Sequence, residues 1–174
     1  DFVMENGASV RVLKNGDTTE VNGLRFIAEL SKETYENLKA QNATFGMVIV
    51  PRDYITAGYE LTANNLFGAN AKWQAVTSSA DLANVSSDKK GMIQLTNLTA
   101  KNIDEDDRYE LSCAIRNILT KNLTREFVGV AYVYVNGTYI LAIDGHVVCA
   151  VDGFYYDSWD SGQEIPVYYW TRGD

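Results

Sequence analysis

The sequence predicts a mainly β protein, an antiparallel β-sandwich of immunoglobulin-like or jelly-roll-like type with one short α-helix near residues 31–42. Three observations support this fold class. Apolar and polar residues alternate over several short segments, which is the period of a half-buried strand. Asn-Gly and Asp-Gly turn signals separate segments of this kind. Only one segment has clear helical spacing, whereas parallel β-α-β units need a helix between consecutive strands.

The first third of the chain contains three predicted strands and the helix. Residues 8–14 and 23–30 form the first two strands, because apolar side chains recur there at every second position. Ser31 is a favourable N-cap, and Glu33 falls in the first turn of the helix that follows. Residues 44–50 are mostly apolar and stop at a proline, which is typical of a buried strand.

The pattern weakens in the middle of the chain and then returns. Residues 57–90 look like loops and short strands, with one convincing strand at 73–76, and we interpret this region as a variable insertion. Residues 92–98 and 108–116 alternate again and predict two further strands. All of these segments are short enough for an antiparallel sheet.

A β-hairpin is the clearest local prediction. Residues 127–135 and 138–143 flank Asn136-Gly137, and this dipeptide suits both central positions of a type I′ turn, where φ is positive. Asp-Gly pairs at 144 and 152 bound another strand at 146–151. An aromatic strand at 167–170 follows the last proline and completes a predicted total of nine to eleven strands.

Length and charge limit the classes of protein to consider. The chain has 174 residues, a formal net charge of −8 and a hydrophobic fraction of 46%, which excludes wholesale disorder. We predict one domain over residues 1–174, with residues 144–174 as an aromatic-rich accessory segment. The negative charge argues against nucleic acid and anionic membranes as partners. No apolar run approaches the ~18 residues of a membrane helix, so we predict no membrane insertion.

Composition favours an extracellular or cell-surface location. Five Asn-x-Ser/Thr sequons occur, at Asn42, Asn84, Asn97, Asn122 and Asn136. Only two cysteines are present, Cys113 and Cys149, and both lie in strand-like patterns. They are either two buried thiols or one long-range disulfide, and the sequence leaves both alternatives open. Without a Cys-x-x-Cys motif, a zinc site is not predicted.

Four pieces of sequence together resemble a known domain family. They are Gly7-Ala8-Ser9-Val10-Arg11, Gly23-Leu24-Arg25-Phe26, Gly46-Met47-Val48-Ile49-Val50-Pro51 with Tyr54, and Phe127 with Ala131-Tyr132. Their order resembles an uncharacterised domain of secreted and cell-surface modular proteins from Gram-positive gut bacteria. The resemblance covers about residues 5–143. It implies an extracellular β-rich module and brings neither an activity nor functional residues.

Catalytic motifs are scarce, and we predict that the protein is not an enzyme. The single histidine, His146, is not accompanied by a Gly-x-Ser-x-Gly motif that would hold a nucleophilic serine. We interpret it as a turn or strand residue. Paired carboxylates could hydrolyse a polysaccharide, and four glutamates lie on or beside strands: Glu29, Glu60, Glu110 and Glu126. Arg11 and Arg25 can form cross-strand ion pairs, with Glu29 on the face of Arg25, or clamp an anion.

Calcium is the one cofactor for which the sequence offers ligands. The acidic run Asp104–Asp107 could collect a hard cation, as could Asp157, Asp160 and Glu164 near the C-terminus. Neither group has the EF-hand spacing. A charged loop that is simply solvated explains both groups more economically, so no cofactor is predicted.

The strongest local signal is the aromatic, acidic tail. The candidate ligand-binding residues there are Tyr155, Tyr156, Trp159, Tyr168, Tyr169 and Trp170. Flat rings stack on the apolar faces of sugars and also contribute to protein interfaces, although packing of a small closing sheet is the more common role of such residues.

The sequence therefore predicts a non-catalytic extracellular or cell-surface binding or adhesion module. Its ligand would be a carbohydrate, or its partner another surface protein. A structural spacer in a multidomain surface protein is the alternative, and a polysaccharide hydrolase is less favoured.

Overall fold

Two β-sheets packed face to face form the framework of the computed structural model. The structure describes residues 1–5, 8–11, 22–102 and 107–143, together with the strand backbone at 149–151, 154–156, 158–159 and 170–171. The strands are β1 (Val3–Met4), β2 (Ser9–Arg11), β3 (Gly23–Ser31), β4 (Thr44–Pro51), β5 (Trp73–Val76), β6 (Lys90–Leu95), β7 (Lys101–Asn102), β8 (Arg108–Arg116), β9 (Phe127–Val135), β10 (Thr138–Ile143), β11 (Cys149–Val151), β12 (Phe154–Tyr156), β13 (Ser158–Trp159) and β14 (Trp170–Thr171). The helices are α1 (Lys32–Ala40) and α2 (Ala63–Phe67), with 3₁₀ turns at Arg52–Tyr54, Ser79–Ala83 and Thr120–Asn122.

The strand order confirms a mainly β sandwich. Sheet I has the order β1-β3-β8-β7, and β2 pairs with β3 on the same side as β1. Sheet II has the order β10-β9-β4-β6-β5. Among the described strands every pair is antiparallel except β5 with β6, which is parallel. The pairs β11-β12 and β13-β14 form two small separate ladders.

Alternation along β3 and β8 builds the main core between the sheets. Leu24, Phe26, Ala28 and Leu30 are all buried, and the register places Phe26 opposite the buried Cys113. Sheet II contributes its own inward residues to the same core, including Phe45, Met47, Ile49, Ala131 and Val133. The sheets approach closely where β9 has Gly129, because a Cβ there would overlap the ring of Phe26. The predicted alternation of residues 23–30 and 108–116 is confirmed.

One residue on the outer face of sheet I departs from the predicted pattern. Ile27 shares a face with Arg25 and Glu29, yet only 4% of its surface is exposed. The backbone of β11 lies close to β3. Alternation alone did not predict the burial of Ile27.

Helix α1 forms where the sequence predicts it. The Ser31 side chain accepts a hydrogen bond from the Thr34 N–H at 3.2 Å, and Glu33 lies in the first turn. Tyr35 stacks on Tyr109 with ring centroids 4.5 Å apart and on Phe45 at 5.4 Å. The helix thus closes one end of the sandwich with half-buried rings.

The predicted hairpin is also confirmed. Asn136 and Gly137 have φ values of 51° and 76°, as a type I′ turn requires. The ladder then runs without interruption from Thr138 opposite Val135 to Ile143 opposite Val130.

The outer face of sheet II has its own hydrophobic layer, which the sequence did not reveal. Leu66 of α2 and Trp73 of β5 are buried against Val48, Val50 and Val130. Helix α2 has only five residues and a Thr62 N-cap, too short a segment to give a helical period. The region interpreted as an insertion therefore covers the second face of sheet II.

A lysine fixes this covering segment to the sheet. Lys90 Nζ donates hydrogen bonds to the Tyr54 carbonyl and to Thr56 Oγ1, both at 2.8 Å. The same ammonium group lies 4.3 Å from the ring centroid of Tyr59. Tyr54 donates its hydroxyl hydrogen to the Leu82 carbonyl at 3.2 Å, which joins the segment to the second 3₁₀ turn.

Cys113 is a buried free thiol in the core. Burial raises its pKa from 9.0 to about 12. The side chain of Cys149 lies outside the described residues.

Substituting Gly46 tests the packing of Tyr132 on sheet II. A Cβ at Gly46 would overlap the Tyr132 ring, so Gly46→Ala should lower the free energy of unfolding by about 1–3 kcal/mol. In a Tyr132→Ala background the ring is gone, and the same change should cost much less. Urea denaturation of the four proteins measures the difference, and an equal loss in both backgrounds contradicts the contact.

The Cys113 thiol predicts a specific pH dependence of stability. Below pH 9 the thiol is protonated in both states, and above it the unfolded chain loses the proton first. Stability should therefore fall by up to ~1.4 kcal/mol per pH unit between about pH 9 and pH 11, from this group alone. Denaturation curves should show a shallower decline for Cys113→Ala. Identical slopes would show that the thiol is exposed.

Candidate functional site

The predicted aromatic tail falls only partly within the described residues. Tyr155 and Tyr156 belong to β12, and Trp159 is the Cα partner of Trp170 in the β13-β14 ladder. Strand β12 lies beside β14, so the backbone brings these four positions into one neighbourhood. Tyr168, Tyr169 and all side chains of this segment lie outside the described residues. The tail stays a prediction.

Sequence reasoning missed a second aromatic group, which lies on the outer face of sheet II. We call Phe67, Tyr132, Tyr134 and Tyr139 the aromatic surface. Tyr134 and Tyr139 are opposite each other in the hairpin, with ring centroids 4.5 Å apart. Phe67 stacks on Tyr139 at 4.2 Å and contacts Tyr132 at 4.8 Å. The sequence did contain a signal that was missed. Tyr132 and Tyr134 share one face of β9, and the Asn-Gly turn places Tyr134 opposite Tyr139.

Tyr132 is the buried member of the aromatic surface. Its ring occupies the space left by the missing side chain of Gly46, and only 4% of its surface is exposed. Its hydroxyl accepts a hydrogen bond from Gln94 Nε2 at 2.9 Å. Burial raises the pKa of Tyr132, so its phenol stays neutral at physiological pH.

Tyr134 is the most exposed member of the aromatic surface. Its exposed fraction is 39%, and it is opposite the exposed Thr44 of β4. At the same end of the hairpin, Asn136 Nδ2 donates a hydrogen bond to Gln41 Oε1 at 3.0 Å. The ring is therefore bordered by hydroxyl and amide groups.

The aromatic surface carries no formal charge of its own. Residues 127–143 contain no Asp, Glu, Lys, Arg or His, although 22% of the chain is charged. An uncharged apolar area with polar neighbours suits a neutral ligand better than an ionic one.

A carboxylate cluster lies on the outer face of sheet I. Glu29 and Glu110 are opposite each other in the β3-β8 ladder, and ligand oxygens of Glu5, Glu29 and Glu110 lie within 4.8 Å of one another. Arg108 Nη2 lies 2.8 Å from Glu29 Oε2, and Arg25 Nη2 lies 3.3 Å from Glu110 Oε1. The expected ion pairing of Arg25 is confirmed, with Glu110 as its partner, whereas the Arg11 side chain lies outside the described residues.

The other two candidate glutamates have local roles. Glu60 Oε1 accepts a hydrogen bond from the Gly58 N–H at 3.1 Å, and backbone hydrogen bonds lower its pKa. Glu126 Oε2 lies 3.8 Å from Arg52 Nε. Of the four glutamates, Glu29 and Glu110 are the pair that the sheet register brings together.

Most of the predicted calcium ligands and the histidine lie outside the described residues. These are Asp104–Asp106, Asp157, Asp160, Glu164 and His146. Asp107 is described, and its carbonyl accepts a hydrogen bond from the Lys32 N–H at 2.8 Å. It serves the junction between β8 and α1.

The sequon asparagines lie mainly in turns. Asn42, Asn97 and Asn136 have positive φ, a conformation that asparagine tolerates better than most residues. Asn84 is exposed after a 3₁₀ turn, whereas Asn122 has only 5% of its surface exposed. Turn geometry therefore accounts for three of these positions without glycosylation.

Comparisons with known proteins give no relative whose site could be set beside this geometry. No protein family model matches the chain, and neither curated proteins nor solved structures give a match. Within the described ranges, no helix combines the length and apolar character needed to cross a bilayer.

The Arg108–Glu29 pair should couple measurably. A double-mutant cycle with Arg108→Met and Glu29→Gln should give a coupling energy of about 0.5–1 kcal/mol, because the pair is half-buried and close. The exposed Lys32–Asp107 pair at 4.0 Å, changed to Met and Asn, is the matched control and should give almost none. Equal coupling in the two cycles, measured by urea denaturation, contradicts this assignment.

Proposed function

We propose that this protein is a non-catalytic binding module of an extracellular or cell-surface protein, and that its ligand is a neutral carbohydrate. The observation that supports this proposal is the aromatic surface, with Tyr134 exposed at its edge. The location rests on composition and on the family resemblance. The proposal keeps the predicted class of function and adds a ligand surface that is built from described residues.

The chemistry of a sugar ring matches this surface. Pyranose rings have an apolar C–H face that stacks on an aromatic ring, and hydroxyl groups at the rim that need hydrogen-bond partners. Tyr134 offers an exposed ring, and the Tyr139 ring lies beside it at 4.5 Å. Thr44, Asn136 and Gln41 supply hydroxyl and amide groups near the same end of sheet II.

Rigidity of the support favours binding at this place. Tyr139 is held between Phe67 and Tyr134, while Tyr132 is fixed by Gly46 and Gln94. Rings that are already ordered lose little conformational entropy when a ligand stacks on them.

The absence of charged residues from 127–143 favours neutral sugars over acidic ones. A polysaccharide of uronic acids would approach a chain of net charge −8 against electrostatic repulsion, and no cation on this hairpin would compensate. Neutral chains such as xylan, mannan or β-glucan have no such penalty. The carboxylates of sheet I have a different use in this proposal, as members of a cross-strand ion-pair network.

Replacing Tyr134 tests the proposal. Affinity electrophoresis in gels containing xylan, galactomannan, β-glucan or pectin should retard the wild-type chain on at least one neutral polymer. Tyr134→Ala should abolish that retardation, because the exposed ring is lost, while Tyr134→Phe should keep most of it. Val3→Ala, which trims a comparably exposed apolar residue on sheet I, is the matched control and should bind normally.

Other outcomes separate the alternatives. Retardation that survives Tyr134→Ala but fails in Trp159→Ala or Trp170→Ala moves the ligand site to the aromatic tail. Retardation by pectin alone contradicts the preference for neutral chains. No retardation on any polymer contradicts the carbohydrate proposal and favours the structural spacer.

A further inference from the structure

Strand β10 differs from the edges of sheet I in the described structure, and it is longer than β5, the four-residue edge on the other side of sheet II. It has six residues, Thr138–Ile143, without a charge or a proline. Sheet I ends at β7, two residues that include Lys101, and at the short strands β1 and β2. Short and charged edges are the usual protection against pairing between chains, and β10 has neither feature.

The backbone of β10 has hydrogen-bonding groups available at its outer side. Val135 and Thr138 flank the two-residue turn and form a hydrogen-bonded pair, so Ile140 and Ala142 also bond to β9. The N–H and C=O groups of Tyr139, Leu141 and Ile143 point away from β9. In the part of the chain that the structure describes, no strand pairs with that side.

Apolar side chains are concentrated at the same edge. Three of the five large apolar residues that the described chain exposes are Tyr134, Ile140 and Ile143, on β9 and β10. Ile143 is 50% exposed and Ile140 is 47% exposed, on opposite faces of the sheet. An added strand would therefore cover apolar surface as well as backbone groups.

The sequence of β10 is complementary to itself in one register. A two-fold axis perpendicular to sheet II and passing through Leu141 places Leu141 opposite Leu141 of a second copy. The same axis places Tyr139 opposite Ile143, and these are the residues with outward backbone groups. Each of these hydrogen-bonded pairs exchanges two bonds, and the side chains opposed within residues 139–143 are all apolar.

The lack of charge on the hairpin and the self-complementary register of β10 favour a second copy of the chain as the occupant. Two copies that each carry −8 repel one another, except where their facing surfaces are uncharged. The hairpin of residues 127–143 is such a surface, and it offers no carboxylate to attract a basic peptide. A second copy therefore fits this edge better than a charged partner.

We infer that this protein forms a symmetric dimer in which two β10 strands pair antiparallel and join two copies of sheet II into one ten-stranded sheet. The paired area is small, since it consists of two edge strands and their neighbours, so the dimer is a weak one. The inference is independent of the proposed function. It places both aromatic surfaces on the same side of the joined sheet, where a long ligand could contact both.

Sedimentation equilibrium without carbohydrate tests the dimer. The wild-type chain should change from monomer to dimer as its concentration rises. Ile143→Lys should weaken the dimer at least about tenfold, because each copy would bury an ammonium group beside Tyr139 of the other. Leu119→Lys adds the same charge at an exposed apolar residue outside β1, β9 and β10, and should dimerise normally.

A crosslinking experiment tests the register. In a Cys149→Ser background, Leu141→Cys should be captured as a covalent dimer by a short bismaleimide, because the two positions meet at the axis. Ile143→Cys should not be captured, since the two copies of residue 143 lie several residues apart along the paired strands.

Three results would overturn the inference. The chain could remain monomeric at every concentration. It could form a dimer that Ile143→Lys leaves intact. It could be captured through Ile143→Cys but not through Leu141→Cys. A melting curve for each variant checks that it is folded before its dimerisation is compared with that of the wild-type chain. Loss of carbohydrate binding alone would not count against the dimer.

Discussion

The burial of sheet II on both faces is the constraint on which the rest of this structure depends. One face packs against sheet I through Phe45, Met47 and Ile49, and the other is covered by the segment that contains α2. A strand covered on both sides has no polar face, which explains why residues 44–50 and 127–135 are almost continuously apolar. On the outer face of sheet II, the exposed large apolar residues of the described chain are Tyr134 and Ile143.

Tyr134 and Ile143 lie on the two proposed surfaces. Towards the hairpin, the covering segment contributes Phe67, which stacks on Tyr139. Tyr134 stays partly exposed next to Tyr139. Strand β10 lies at the rim of the same sheet, and its outward backbone groups are next to the exposed Ile143. One packing arrangement thus gives rise to a neutral aromatic surface and to an uncharged edge. Large exposed apolar areas are uncommon in monomers and usually mark a contact site.

Local chemistry made part of this fold predictable. The alternation of β3 and β8, the Ser31 cap of α1 and the Asn-Gly hairpin each depend on neighbours in sequence, and each is confirmed. The parallel pairing of β5 with β6 and the cover over sheet II depend on contacts between distant segments. The place of Phe67 in the aromatic surface was missed for the same reason, because Phe67 meets Tyr132 and Tyr139 only in three dimensions.

Native-state amide hydrogen exchange tests the double burial of sheet II most directly. In dilute protein the amides of Val48 and Val130 should exchange only through global unfolding, since both faces of their strands are covered. The outward amides of Tyr139, Leu141 and Ile143 should exchange much faster under the same conditions. Rapid exchange along β4 and β9, or protection of the three outward β10 amides in the dilute monomer, would contradict this account.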